Sequence, residues 1–162
     1  MQSAVLSVTY IKAGETYNVI PPTAELRGTV RYFEPDVKQK VYERLEHIVD
    51  SISRAFNCQS NLELTDLTPA VDNDVEVTQR LATLANKVIP TIEINSTYRT
   101  MVSEDMALMM EKVPGCYFLV GAANPARGLN YGHHHPRFDF DEAALVNAAA
   151  LMASATVELL EN

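Results

Sequence analysis

Three adjacent histidines are the residues with the most obvious chemical potential. His133, His134 and His135 account for three of the four histidines in the chain and stand directly before Pro136. Imidazole is the commonest metal ligand among side chains and the usual acid or base near neutral pH. A solvated polar loop would explain an isolated triplet equally well, because no HExxH motif accompanies it. The triplet therefore gives a candidate metal ligand and not yet a metal site.

The proline narrows the choice among the three imidazoles. A residue that precedes proline is biased towards extended backbone, and successive side chains of an extended chain point to opposite sides. We therefore expect His134 to point one way and both its neighbours the other. Zinc usually takes about four ligands, so the triplet alone cannot complete a site. The following acids, Asp141 and Glu142, stand where a helix should begin and are expected to serve as its N-terminal acids.

A second group of polar residues falls on a predicted hairpin. Asn18 lies at the hairpin end, where asparagine is common for turn reasons alone. Arg27 and Arg31 are four residues apart on one strand and should share a face. Guanidinium groups bind carboxylates bidentately, so the face is either a carboxylate clamp or a solubilising surface.

A third candidate is the acidic pair Glu104–Asp105 in the stretch SEDMA. Two acids in a first helical turn usually interact with the helix dipole, and Ser103 is a plausible N-cap. Spacing alone gives only weak support for a role near a metal.

The elements that must position these residues differ between the two halves of the chain. Alternating, β-branched sequence predicts strands at residues 3–14, 24–33 and 58–67, the first two antiparallel. Helical spacing of apolar residues predicts a helix over residues 34–56, with Pro35 in its first turn. The order β-β-α-β indicates the α+β class.

A turn-rich joint near residue 70 predicts a domain boundary, giving domains 1–69 and 70–162. Beyond it we expect a helix over residues 75–88 and a short helix over 103–113. The apolar run CYFLVGA (116–122) predicts a strand buried on both faces. A nearly all-apolar helix over 141–160 should be covered on most sides.

Composition excludes several classes of protein. A net charge of −8 argues against nucleic acid or an anionic membrane as a partner. Cys58 and Cys116 form no CxxC pattern, so neither a disulfide framework nor a zinc knuckle is expected. The N-terminus does not have the character of a signal peptide, and no apolar stretch reaches the roughly 20 residues needed to cross a bilayer. We expect a cytoplasmic protein.

Taken together, the motifs resemble one family. NVIP and AELRGTVR are followed by SED, by EKVPGCYFLVGAANP and by HHHPRFDFDEAAL. This order is similar to that of zinc-dependent amidohydrolases of the aminoacylase, hippurate hydrolase and auxin–amino acid conjugate hydrolase type, related to the dimeric zinc carboxypeptidases. The resemblance covers essentially the whole chain.

The resemblance implies a specific architecture. It implies the second half of a ferredoxin-like lid and dimerisation domain, followed by the C-terminal α/β segment of a zinc-peptidase-like catalytic domain. The family's remaining ligands and its general base are expected upstream of the residues in this chain. The chain would then be a fragment or a partial reading frame, or another chain would supply the rest. Homo-oligomerisation through the lid is also implied.

The resemblance also assigns roles to residues. It implies that His134 is a metal ligand, that Asn18 and Arg31 bind the substrate carboxylate, and that Glu104 and Asp105 lie beside the metal site. Two ions of zinc, or of manganese or cobalt, are implied only for a complete enzyme. The implied activity is hydrolysis of N-acyl amino acids or similar small amides, with this chain alone inactive. The alternative is a non-catalytic dimerising or small-molecule-binding module.

Overall fold

The described chain forms two compact units of the predicted α+β class. A computed structural model describes residues 3–161. The first unit contains the described residues up to Ala70 together with Arg99–Ala107. The second contains Val71–Tyr98 and the residues from Leu108 onwards.

The first unit is built on the predicted antiparallel hairpin. Strand β1 (Ala4–Ala13) pairs with β2 (Ala24–Tyr32), with Ala4 opposite Tyr32 and Ala13 opposite Ala24. The register shifts between Val8 and Tyr10, so β1 carries one unpaired residue there. The hairpin is confirmed because alternating, β-branched sequence on both sides of a short turn favours local pairing.

Helix α1 (Pro35–Ala55) follows directly and also confirms the prediction. Pro35 occupies the first turn, and the neighbouring Asp36 forms an ion pair with Lys40 one turn on, at 3.2 Å. Val37 is the buried anchor of this helix. The apolar stripe continues beyond it, yet Ile52 and Phe56 are 56% and 74% exposed.

The predicted third strand does not form. Residues 58–67 contain no regular secondary structure, although Leu62 and Leu64 are half-buried and their neighbours exposed, as alternation requires. The prediction was wrong because a strand also needs a hydrogen-bonding partner. Side chains hold the segment instead, since Lys38 pairs with Asp66 and the hydroxyl of Tyr42 donates to the same carboxylate at 2.9 Å.

The second unit is helical. Helix α2 (Val75–Val88) begins at Asp74, whose carboxylate accepts from the Val77 N–H at 2.9 Å. A short helix α3 (Met106–Met110) and a 3-10 turn at Pro125–Arg127 come next, and α4 (Ala143–Leu160) ends the described chain. Helices α2 and α4 pack together, and Arg80 on α2 donates to the carbonyl of Glu158 at 2.9 Å.

Two predictions for this unit are wrong. Residues 116–122 are not a strand, and Leu119 within them is 53% exposed. The side-chain amide of Asn73 takes the place of a neighbouring strand, accepting from Tyr117 N–H at 2.8 Å and donating to its carbonyl at 2.9 Å. Helix α4 is not covered on most sides, since Val146 and Leu160 are 71% and 81% exposed.

Helix α4 also meets the length and composition of a membrane span, contrary to the sequence prediction. It has 18 residues, and 6% of them are buried. One such helix does not by itself indicate a membrane protein, because apolar core helices of soluble proteins meet the same criteria.

Gly28 offers a test of the hairpin. A Cβ at this position would lie 2.2 Å from the Ser7 carbonyl oxygen, so Gly28→Ala should force the strands apart and cost about 1–3 kcal/mol of stability. Gly121→Ala is the matched control, because no atom of the described residues beyond its two chain neighbours lies within 4 Å of the added Cβ. Urea unfolding followed by circular dichroism measures both variants. Equal stability losses would show that the close approach of the strands does not matter.

Candidate functional site

His134 sits in a tight turn and not in extended backbone. The His135 N–H donates to the Gly132 carbonyl at 3.2 Å, and His134 has a φ of 67°, in the left-handed region. The prediction that the histidine triplet has extended backbone was therefore wrong at His134. The reason is that proline constrains the residue immediately before it, His135, and leaves His134 free to turn.

The two neighbouring histidines are nevertheless engaged separately from His134. The His135 ring stacks on Tyr131 with centroids 4.3 Å apart, and the His133 ring meets the Phe138 ring edge-on at 4.9 Å. The imidazole of His134 is exposed and has no ring contact or hydrogen bond within residues 3–161. Among the described residues, His134 is therefore the one imidazole of the triplet that has no aromatic contact.

The stacked pair is held by one arginine. Arg137 N–H donates to His135 Nδ1 at 3.0 Å, and its guanidinium donates to the Tyr131 hydroxyl at 3.0 Å. Because Nδ1 of His135 accepts here, this ring carries its proton on Nε2 when neutral. Residues 131–138, which we call the histidine loop, are therefore held by contacts among their own side chains and backbone.

Asp141 closes the base of this loop. Its carboxylate accepts from the Asn124 amide at 2.6 Å, from Arg127 at 3.0 Å and from the Ala143 N–H at 3.1 Å. The Asn124 bond is the main reason why the pKa of Asp141 is lowered, with the backbone N–H and the guanidinium adding to it. Of the two acids predicted for the start of α4, Asp141 precedes the helix and accepts from the N–H of its first residue, whereas Glu142 at the N-cap makes no capping hydrogen bond. Glu142 contributes an ion pair with Arg127 at 3.5 Å.

The residues present do not make a metal site by themselves. Within residues 3–161 no three His, Cys, Asp or Glu side chains come together in a group that could hold an ion. Cys58 and Cys116 are free thiols. His134 is thus at most one ligand of a site whose other ligands would have to come from residues outside the described chain.

The other predicted site residues all lie in the first unit. Asn18 is exposed in the hairpin turn, where its side-chain oxygen accepts from the Thr16 hydroxyl at 2.9 Å. Arg31 is exposed on β2 and donates from Nη1 to the Met101 carbonyl at 2.6 Å. Arg27 is engaged differently, pairing with Glu25. The two arginines, which the sequence analysis placed on one strand face, therefore have different hydrogen-bond partners.

Glu104 is half-buried and Asp105 is exposed, in the segment that leads into α3. The predicted N-cap at Ser103 is wrong, because α3 begins only at Met106 and the Ser103 hydroxyl lies 2.8 Å from that of Thr68. The acids therefore precede the helix instead of forming its first turn. The Ser103 hydroxyl is engaged with a residue distant in sequence and does not cap α3.

A surface depression in the second unit lies apart from these residues. It has a volume of about 520 Å³ and is lined by residues 72–75 and 110–115. None of the predicted site residues lines it, so the candidate site rests on side-chain chemistry and not on a cavity.

Comparison with known proteins decides the family. The family description "Peptidase family M20/M25/M40" matches residues 8–158. The chain belongs to this peptidase family.

Curated family members similar to the chain are much longer than it is. The N-acetyl-L-cysteine deacetylase of Bacillus subtilis is 30% identical over the whole chain, which covers 37% of that enzyme. The N-acetyldiaminopimelate deacetylase of a Geobacillus species is 30% identical over 95% of the chain and 39% of that enzyme. The chain thus spans well under half of these relatives.

A solved structure places the fold within the same family. A dinuclear metal-binding M20 peptidase of Bacillus subtilis superposes with a TM-score of 0.75 and 30% identity. The superposition covers 98% of this chain and 42% of that one. The α+β arrangement described above is therefore that of part of an M20 peptidase.

The Asp141 cluster predicts a pH dependence. A lowered folded-state pKa means that Asp141 adds stability above the unfolded value of about 3.9, and that this contribution is lost as the pH falls through the folded value. Asp141→Asn should be less stable than the parent at pH 7, and the difference should shrink below about pH 4. Unfolding midpoints measured across pH give the comparison.

Asp139→Asn is the matched control for this experiment. Asp139 accepts only from the N–H of Phe140 among the described residues, at 2.8 Å, and meets no cation there. A parallel loss of stability in both variants at every pH would contradict the assigned role of Asp141.

Proposed function

We propose that this chain is the C-terminal portion of a metal-dependent amidohydrolase acting on N-acyl amino acids or similar small amides. In this proposal the first unit is the second half of a ferredoxin-like lid and dimerisation domain. The second unit is the C-terminal segment of the catalytic domain. Family membership and relatives named as deacetylases of N-acetylated amino acids support it.

The exposed imidazole of His134 is the observation that carries the metal assignment. Its two neighbours are held by aromatic rings, whereas His134 projects from a left-handed turn with no partner in the described chain. A metal ligand must keep a ring nitrogen free, and a resemblance in motif order points to the same residue. The metal would be zinc, manganese or cobalt.

In this proposal, substrate recognition lies in the first unit, and the likeness to amidohydrolases supports it. A guanidinium has five N–H donors, and Arg31 commits one of them to Met101. The remaining donors suit a substrate carboxylate, with Asn18 as a further polar contact. Glu104 and Asp105 would lie beside the metal. Water activation and proton transfer need groups outside the described residues, so no catalytic step is assigned to this chain alone.

We further propose homo-oligomerisation through the first unit, in the cytoplasm, without nucleic-acid or membrane partners. Cross-strand register puts Leu6, Val8, Ile11 and Leu26 on one sheet face, and each is about half exposed or more. An apolar face of this kind favours protein contacts. The net charge of −8 disfavours polyanions. The exposed side of α4 would be covered by other parts of the enzyme.

The deciding experiment compares the three histidines in a protein that also carries the upstream part of the family. His134→Ala should abolish hydrolysis of N-acetyl and N-benzoyl amino acids and lower the metal content, because water cannot replace a fixed ligand without disturbing the site. His133→Ala and His135→Ala should have mild effects. Metal stoichiometry and kcat are measured side by side, with the present chain alone as the inactive control.

The possible results of these substitutions lead to different conclusions. Loss of activity on changing His133 or His135 in place of His134 would show that the wrong imidazole has been chosen. Three harmless substitutions in an active enzyme would refute the metal assignment. An inactive complete protein would favour a non-catalytic dimerising or small-molecule-binding module.

Arg31 gives an independent test of substrate recognition. In the same protein, Arg31→Ala should raise KM about tenfold to a hundredfold, since a hydrogen bond to a charged group contributes roughly 1.5–3 kcal/mol. Arg27→Ala is the matched control. Arg27 lies on the same face of β2 as Arg31, and its guanidinium pairs with Glu25. If Arg31→Ala lowers thermal stability and leaves KM unchanged, its role is confined to the Met101 contact.

A further inference from the structure

The segment Arg99–Ala107 belongs to the first unit although about thirty residues of the second unit precede it in the chain. It carries the acidic pair Glu104–Asp105, and we call it the acid-pair segment. Two long-range contacts attach its first residues to the end of β2 and the start of α1. One is the bond from Arg31 to the Met101 carbonyl. The other involves Arg99, which the sequence did not single out.

Arg99 packs against the β2–α1 junction. Its guanidinium carbon lies 4.3 Å from the centroid of the Phe33 ring, and its Nη2 is 4.0 Å from Glu34 Oε1. The other carboxylate oxygen of Glu34 is inaccessible to solvent and has no hydrogen-bond partner within the described residues. The positive charge of Arg99 therefore lies beside a carboxylate of which one oxygen is shielded from solvent.

Each of the two stretches of chain contributes one arginine that contacts the other stretch. Arg31 on β2 contacts residue 101, and Arg99 contacts residues 33 and 34, so the two contacts occur in opposite order along the two stretches of chain. Each contact restrains the geometry of the other. With Arg99 seated on Phe33, the Met101 carbonyl is held where it can fix the Arg31 guanidinium in one orientation.

We propose that Arg99 is a positioning residue that acts through Met101 on Arg31. By holding the carbonyl in place, it presents the free edge of the Arg31 guanidinium to a substrate carboxylate. The same contact sets the place of Glu104 and Asp105 relative to β2. The catalytic consequence rests on the proposed amidohydrolase function, whereas the contact itself is a property of the chain alone.

The contact is tested first in the chain alone, by cleavage with a glutamate-specific protease. Cleavage after the half-buried Glu104 requires the acid-pair segment to detach locally. Arg99→Ala should accelerate this cleavage roughly twofold to fivefold, which corresponds to an exposed cation–π contact. Mass spectrometry identifies the fragment. Arg54→Ala is the matched control, since Arg54 is 78% exposed and pairs with Asp50 within α1.

The functional role is tested in the protein that also carries the upstream part of the family. Arg99→Ala should raise KM for an N-acyl amino acid by about the same twofold to fivefold. It should leave KM unchanged for the corresponding amino acid amide, which lacks the carboxylate. Arg99→Lys should recover only part of the effect, because lysine keeps the charge and loses the planar stacking surface.

Each outcome has one meaning. Unchanged cleavage after Glu104 in Arg99→Ala overturns the proposal, whatever the enzyme does. Faster cleavage with equal KM changes for both substrates makes Arg99 purely structural and overturns the positioning role. If the unsubstituted longer protein hydrolyses no amide, the proposed function fails, and positioning of a substrate fails with it, while the cleavage experiment still decides whether the contact exists.

Discussion

The antiparallel pairing of β1 with β2 is the interaction on which the first unit depends. It is the only strand ladder within the described residues, and Gly28 allows the two backbones to approach without obstruction from a side chain. Helix α1 starts three residues after β2 and packs on the hairpin. Residues 58–67 are attached to α1 through Asp66. The acid-pair segment is attached to the β2–α1 junction through Arg99. Both residues predicted to bind the substrate belong to this hairpin, Asn18 in its turn and Arg31 on β2.

Where no strand partner exists, side chains hold the backbone. Asn73 forms a two-bond contact with Tyr117, and Asp141 gathers donors from Asn124, Arg127 and Ala143. Polar groups of the backbone must be satisfied, and side-chain amides and carboxylates can do this one residue at a time. The histidine loop is an outcome of this arrangement, because its base is closed by Asp141 and its tip by aromatic stacking.

Helix α4 and the C-terminal part of α1 leave large apolar side chains exposed within the described residues. Val146 and Leu160 on α4 are 71% and 81% exposed, and Ile52 on α1 is 56% exposed. Exposed apolar surface of this kind favours contacts with further protein. The chain spans 37–42% of the length of the deacetylase and peptidase relatives cited above.

The sequence by itself determined the elements whose stability is local. The hairpin and helices α1, α2 and α4 follow from alternation, helical spacing and a proline in a first turn, all of which act over a few neighbouring residues. The order of the motifs also determined the family. Residues 58–67 and 116–122 have sequences typical of strands, yet strand formation requires a partner that local sequence does not supply.

Only the tertiary structure decided which contacts the candidate residues make. It replaced an extended histidine triplet by a left-handed turn at His134, and it separated Arg31 from Arg27 by giving them different hydrogen-bond partners. The Arg99 contact joins residues 66 positions apart, counting from Phe33. No local pattern encodes such a pair, because the energy of a cation over a ring depends on distance in space and is independent of distance along the chain.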